Sequence, residues 1–82
     1  MKVKVNIKGK KPEENVGIST EFLKLDSFLK FAAIVATGGE AKLIIQDGLV
    51  KVNDKVCMQR GKKLYPGDRV NVDNITYNII KQ

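Results

Sequence analysis

Histidine is absent from this 82-residue sequence, and cysteine occurs once, at Cys57. Losing histidine removes the commonest general acid–base group and the commonest metal ligand. With one cysteine besides, the chain has neither a Ser-His or Cys-His nucleophile pair nor a thiolate cluster with zinc spacing. Cys57 has no internal disulfide partner, and in its strand-like run it reads as a small hydrophobe. Carboxylates are scattered singly, apart from Glu13-Glu14 in a polar stretch, so paired-carboxylate chemistry has no local basis. Gly38-Gly39 and Gly61 match neither phosphate-loop fingerprint. Apolar runs such as Phe31–Ala36 stop at six residues, whereas a membrane span takes about 20. No charged–apolar–small leader opens the chain, so the expected location is cytoplasmic. These absences predict a protein that is not an enzyme, with no cofactor, metal, small-molecule substrate or membrane partner.

What is present describes a folded, basic module. Apolar residues make up 43% and charged residues 29%, which fits an ordinary globular chain rather than a disordered one. The length predicts one domain over residues 1–82. Fifteen Lys and Arg against nine Asp and Glu leave a formal charge of +6, which favours a polyanionic partner.

Along the chain the hydrophobic period changes twice. Met1–Ile7 alternates strictly, with Val3, Val5 and Ile7 on one face, and predicts a half-buried strand. Residues 8–15 read as loop, and Val16–Leu23 as a second strand pairing with the first. Leu25–Ala36 predicts a helix whose buried side carries Leu25, Phe28, Leu29, Ala32, Val35 and Ala36, with Asp26 or Ser27 as N-cap. Phe31 and Ile34 leave that stripe, either to pack under the N-terminal strands or to form a contact surface, and packing is the favoured reading. Thr37 and Glu40 have capping-box spacing, so a second short helix begins near Gly38, buries Ala41, Ile44 and Ile45, and ends at Gly48. From Leu49 the period is two. Leu49–Val52 and Val56–Met58 flank an Asn53-Asp54 turn, Gln59–Tyr65 is a loop, Pro66-Gly67-Asp68 is a type II turn, and Arg69–Val72 and Ile75–Ile80 flank Asp73-Asn74. Strand, two helices, then several strands make an α+β chain.

Four ordered blocks resemble the S4-type (alpha-L) RNA-binding domain. They are Lys24-Leu25-Asp26-Ser27-Phe28-Leu29, the Thr37–Ala41 corner, Asp47-Gly48-Leu49-Val50-Lys51-Val52-Asn53-Asp54, and Pro66-Gly67-Asp68-Arg69-Val70. The similarity covers about residues 20–72, leaving a basic N-terminal strand and loop in 1–19 outside. Gly38–Lys42 together with Arg60–Leu64 is most similar to small free-standing bacterial members, the YaaA-like proteins. The resemblance implies two short helices at a corner on a small, mainly antiparallel sheet. It also implies binding of structured RNA (ribosomal RNA or tRNA), with a ribosomal particle as a candidate partner. Two departures stand out. Gly38 occupies a position where the family often carries an RNA-touching Arg, and Asp54 replaces a usual turn Gly.

The candidate contacts are cationic. Arg60, Lys62 and Lys63 lie within four positions around Gly61 with no acid between them, a pattern suited to phosphates. Lys24, Lys30 and Lys42 lie on or beside the helices, and Lys51 and Lys55 flank the Asn53-Asp54 turn. Thr37, Gly38 and Gly39 offer backbone N–H groups at a helix start, although Glu40 competes for them as a cap. Tyr65 either stacks on an unpaired base or packs its ring at the core edge. The lysines at 2, 4, 8, 10 and 11 are either a second RNA-facing arm or the charged edge of a sheet. A monomer is expected. The rival reading is a protein-interaction adaptor that keeps the fold without RNA contact and uses Phe31 and Ile34.

Overall fold

Hydrophobic residues three and four apart open the first helix, as the sequence predicts, in a computed structural model that describes residues 12–82. The expected strand Met1–Ile7 and the lysines at 2, 4, 8, 10 and 11 lie outside the described residues. Helix α1 spans Leu25–Phe31 and buries Leu25, Phe28 and Leu29. It is shorter than the predicted Leu25–Ala36, because Ala33 takes φ 60° and reverses the chain. Ala33 N–H donates to the Lys30 carbonyl at 3.0 Å, and Ile34 N–H to the Leu29 carbonyl at 2.9 Å. That is the Schellman pattern, with alanine where glycine is usual, at a cost of about 1–2 kcal/mol for the left-handed conformation. Val35 and Ala36 therefore leave the helix, and Ala36 is exposed.

Helix α2 spans Gly38–Gln46, with Thr37 as its N-cap and Ala41 and Ile45 buried. Thr37 Oγ1 accepts the Glu40 N–H at 3.1 Å, while Glu40 Oε1 accepts the Ala36 N–H at 2.7 Å. The box therefore closes one residue further back than the predicted return to Thr37. Gly48, at φ 74°, ends the helix as expected. Gly48 and Leu49 N–H groups donate to the Ile45 and Ile44 carbonyls at 3.1 and 3.0 Å.

Seven strands accompany these helices among the described residues: β1 (Glu13–Ile18), β2 (Leu23–Lys24), β3 (Val50–Val52), β4 (Lys55–Val56), β5 (Lys63–Leu64), β6 (Arg69–Val72) and β7 (Ile75–Lys81). A five-stranded sheet runs β1-β7-β6-β3-β4, and β2 pairs with β5 separately. Every pairing is antiparallel except β1 with β7, where Val16 sits opposite Ile79. The described partner of the Val16 strand is thus the C-terminal strand, and strand structure already begins at Glu13, inside the predicted loop. The predicted strand Val56–Met58 also shifts. Strand pairing covers Lys55 and Val56 and stops before Cys57. Asn53-Asp54 and Asp73-Asn74 all take positive φ, and Gly67 reaches φ 103°, so the three predicted turns form.

Alternation then selects a face. Val50, Val52, Val70, Val72, Tyr77 and Ile79 are buried together with Ile18, Leu64 and the buried side chains of both helices, in one cluster without a polar member. Each such aliphatic or aromatic side chain contributes about 1.5–3 kcal/mol of burial. Lys51, Arg69 and Asn71 alternate with these valines and point to the sheet's other face.

Candidate nucleic-acid interface

The predicted Gln59–Tyr65 loop contains strand β5, and that short strand organises the cations. Lys24 and Lys63 are Cα partners across the β2–β5 pair. Helix α1 begins directly after Lys24, whose side chain makes no cap bond. The first helical N–H groups are satisfied by the loop instead: Leu25 N–H donates to the Lys62 carbonyl at 2.8 Å and Asp26 N–H to the Arg60 carbonyl at 3.2 Å. Neither predicted N-cap is used as such, and the Asp26 carboxylate accepts the Ser27 N–H at 2.7 Å. Backbone bonds alone therefore fix Lys24, Arg60, Lys62 and Lys63 around one helix start.

Lys24, Arg60, Lys62 and Lys63 form no ion pair among the described residues. Among the described residues the one ion pair is Arg69–Asp54, at 2.8 Å. Asp26 stands at the cluster itself, where its carboxylate accepts the Ser27 N–H, while Glu40 caps α2 and Asp68 accepts Asn53 Nδ2 at 3.1 Å and Tyr65 N–H at 2.8 Å. Lys63 Nζ lies 4.9 Å from the centre of the Phe22 ring, an attraction that leaves its charge intact. Phe22 in turn meets Tyr65 at 5.7 Å between ring centres, so Tyr65 packs on Phe22 and remains partly exposed.

A groove of about 760 Å³ adjoins the cluster, lined by Val52, Asn53, Lys55, Val56, Cys57, Met58, Gln59 and Lys62. It brings Lys55 to the same surface as Lys62. The remaining candidates are placed apart. Lys30 lies in the last turn of α1, Lys42 is exposed on α2, and Lys51 sits on the sheet face away from the core, opposite Val56. Thr37 Oγ1 is committed to its cap, and a Cβ at Gly38 would meet nothing within 4 Å. Overall charge is a weaker guide than it looked. Between Pro12 and Gln82 there are ten cations against nine acids, and the excess belongs to residues 1–11.

A second cavity, of about 460 Å³, is bounded by Ala33, Ile34, Val35, Ile44, Leu49, Val72, Asp73, Ile75 and Tyr77. Ile34 packs against the core there, whereas the expected packing under the strand Met1–Ile7 lies outside the described residues. Phe31 does not pack against the core: it is 57% exposed. Tyr77 has its hydroxyl pushed above its ordinary pKa by burial, then by the Glu14 and Asp73 carboxylates.

Sequence reasoning missed the β2–β5 pair, the Arg69–Asp54 ion pair and the apolar groove floor. Only the floor left a signal, in Val56 and Met58 beside a basic loop.

Comparisons with known proteins bear on the family and the fold. The S4 domain family matches residues 16–80. The chain is 41% identical over 58 residues to a probable ribosome maturation protein, RlbA, of Bacillus subtilis, covering 71% of this chain and 82% of that protein. Its fold is similar to the solution structure of YbcJ from E. coli, which is described as having an alfa-L motif involved in RNA binding. That similarity has a TM-score of 0.59 at 20% identity and covers 96% of this chain and 99% of YbcJ.

Proposed function

The chain belongs to the S4 domain family, and from that premise we propose that it is a cytoplasmic, monomeric, single-domain protein that binds structured RNA through phosphate contacts. S4 domains are non-catalytic modules, so the function is recognition. The RNA is ribosomal RNA, in keeping with the ribosome maturation role in the name of its B. subtilis relative; tRNA is the other structured RNA considered. The supporting observation is the backbone-built cluster of Lys24, Arg60, Lys62 and Lys63 at the start of α1, without an acidic partner among the described residues. Lys55 extends this surface. Lys30, Lys42, Lys51 and the Thr37–Gly39 corner are its outlying contacts.

The mechanism is electrostatic docking on a rigid corner. Each phosphate neutralised by Lys or Arg releases condensed counterions, so affinity falls steeply with salt. Four contacts give a slope of log K against log salt of roughly −3. Titrating labelled ribosomal RNA with the protein between low and physiological salt measures it, and a flat dependence contradicts the proposal.

One observation favours an adaptor reading. Phe31 at the end of α1 and Leu43 on α2 are both exposed. A protein partner held there would be captured at high salt, where the RNA is released. Ile34 belongs to the core edge and drops out of that surface.

A further inference from the structure

The groove beside the basic cluster has a composition that phosphate contacts do not require. Val56 and Met58 are 52% and 58% exposed and lie on its surface, with half-buried Cys57 between them. Unlike other exposed apolar side chains such as Leu43 and Ile80, these two share one concave surface with lysines. Lys55 and Lys62 line the same groove, and none of the eight lining residues is acidic.

We infer that this groove receives an unpaired nucleobase of the bound RNA, whose flanking phosphates meet Lys55 and Lys62. The inference rests on the RNA-binding reading and names the part of the RNA that the groove takes. A base splayed out of a loop or bulge presents an apolar face and a polar edge, and such bases are how proteins distinguish RNA structures. Val56 and Met58 cover the face. For the edge, the Gln59 side-chain amide is without a protein partner among the described residues. The Asn53 amide is already committed, its Oδ1 to Arg69 N–H at 2.9 Å and its Nδ2 to Asp68 at 3.1 Å. Asn53 is therefore a positioning residue: it ties the β3–β4 turn to the Pro66-Gly67 turn and holds one wall still. A peptide partner is less well matched, because lysines at two points of the lining with no acid favour an anionic ligand.

Cys57 lies in the lining and serves as a built-in reporter. The experiment compares hexaadenylate with an abasic hexamer carrying the same phosphates. Binding is followed by fluorescence anisotropy, and alkylation of Cys57 by N-ethylmaleimide is followed by mass spectrometry. Hexaadenylate slows alkylation several-fold and the abasic hexamer leaves it unchanged. Replacing Met58 by Gln weakens hexaadenylate by about tenfold through lost apolar contact and leaves the abasic hexamer unaffected. Equal alkylation with both oligomers overturns the groove assignment, and so does equal affinity for the two. If ribosomal RNA still binds with the predicted salt slope, only the base site has failed. Loss of that binding too would bring down the RNA reading itself. Protection of Cys57 by a ribosomal protein, with none by either oligomer, also overturns the nucleobase assignment.

Discussion

Two cavities among the described residues differ in charge, and the proposed function assigns recognition to one and architecture to the other. The groove at Val52–Lys62 is lined by two lysines and no acid. The pocket at Ala33–Val35 is lined by one acid, Asp73, and no cation. Both carry apolar surface. In the first it is an exposed floor beside unpaired lysines; in the second it is largely the rim of the core, with Ile34, Val35, Ile44 and Ile75 packed against buried residues. An apolar concavity therefore says little about function until the charges around it are known.

Adding negative charge in the two places gives the strongest contrast. Reversing Arg60, Lys62 and Lys63 to Glu should weaken ribosomal RNA binding by more than about a hundredfold near 0.1 M salt, with an unchanged circular dichroism spectrum. Leu49→Glu adds a single negative charge at the acidic pocket and should weaken binding by less than about threefold, since one exposed charge is partly screened by salt. Equal losses in both would erase the distinction.

Stability sharpens it next. Ala33→Gly relieves left-handed strain at the pocket's edge and should raise unfolding stability by about 0.5–1 kcal/mol. Gly48→Ala places the same strain at the end of α2, where an added Cβ would lie 3.8 Å from Val56 Cγ1, and should lower stability by about 1 kcal/mol. Thermal melts should move in opposite directions, by about 4–8 °C per kcal/mol, with RNA affinity unaltered in the first.

A smaller effect follows from Asp54, whose carboxylate holds Arg69 while both side chains remain substantially exposed. Asp54→Asn should cost less than about 0.5 kcal/mol of stability. It frees a cation near the groove, so RNA binding should tighten by about two- to threefold at low salt, measured by anisotropy.

The smallest concerns Tyr77. Its pKa is raised in the fold, so the neutral phenol's contribution is complete below the ordinary value of 10.0 and is lost as pH rises through the raised one. Denaturant melts above pH 10 should show stability falling with pH, less steeply in Tyr77→Phe.

The turns, the Thr37 cap of α2 and the Leu25, Phe28 and Leu29 stripe were legible in the sequence because each rests on local chemistry. Asn53-Asp54 and Asp73-Asn74 tolerate positive φ, Pro66-Gly67 pre-sets a type II turn, and Gly48 closes α2. The end of α1 was not legible, since Ala33 carries no stop signal and packing of Ile34 and Val35 imposes its conformation. Pairings across long separations were also hidden. Nothing local in Glu13–Ile18 names Ile75–Lys81 as a parallel neighbour, and two-residue strands such as Leu23–Lys24 are too short to show a period. The cluster was accordingly half visible. Arg60, Lys62 and Lys63 stood out by spacing, but their union with Lys24 depends on carbonyl acceptors that any residue supplies.

Ultraviolet crosslinking of the protein to ribosomal RNA, with mass spectrometry of the attached peptides, tests the central assignment most directly. Crosslinks should concentrate in Leu23–Lys24 and Lys55–Tyr65, on the cationic side. Crosslinks confined to the Ala33–Val35 and Asp73–Tyr77 segments, with that side untouched, would contradict it.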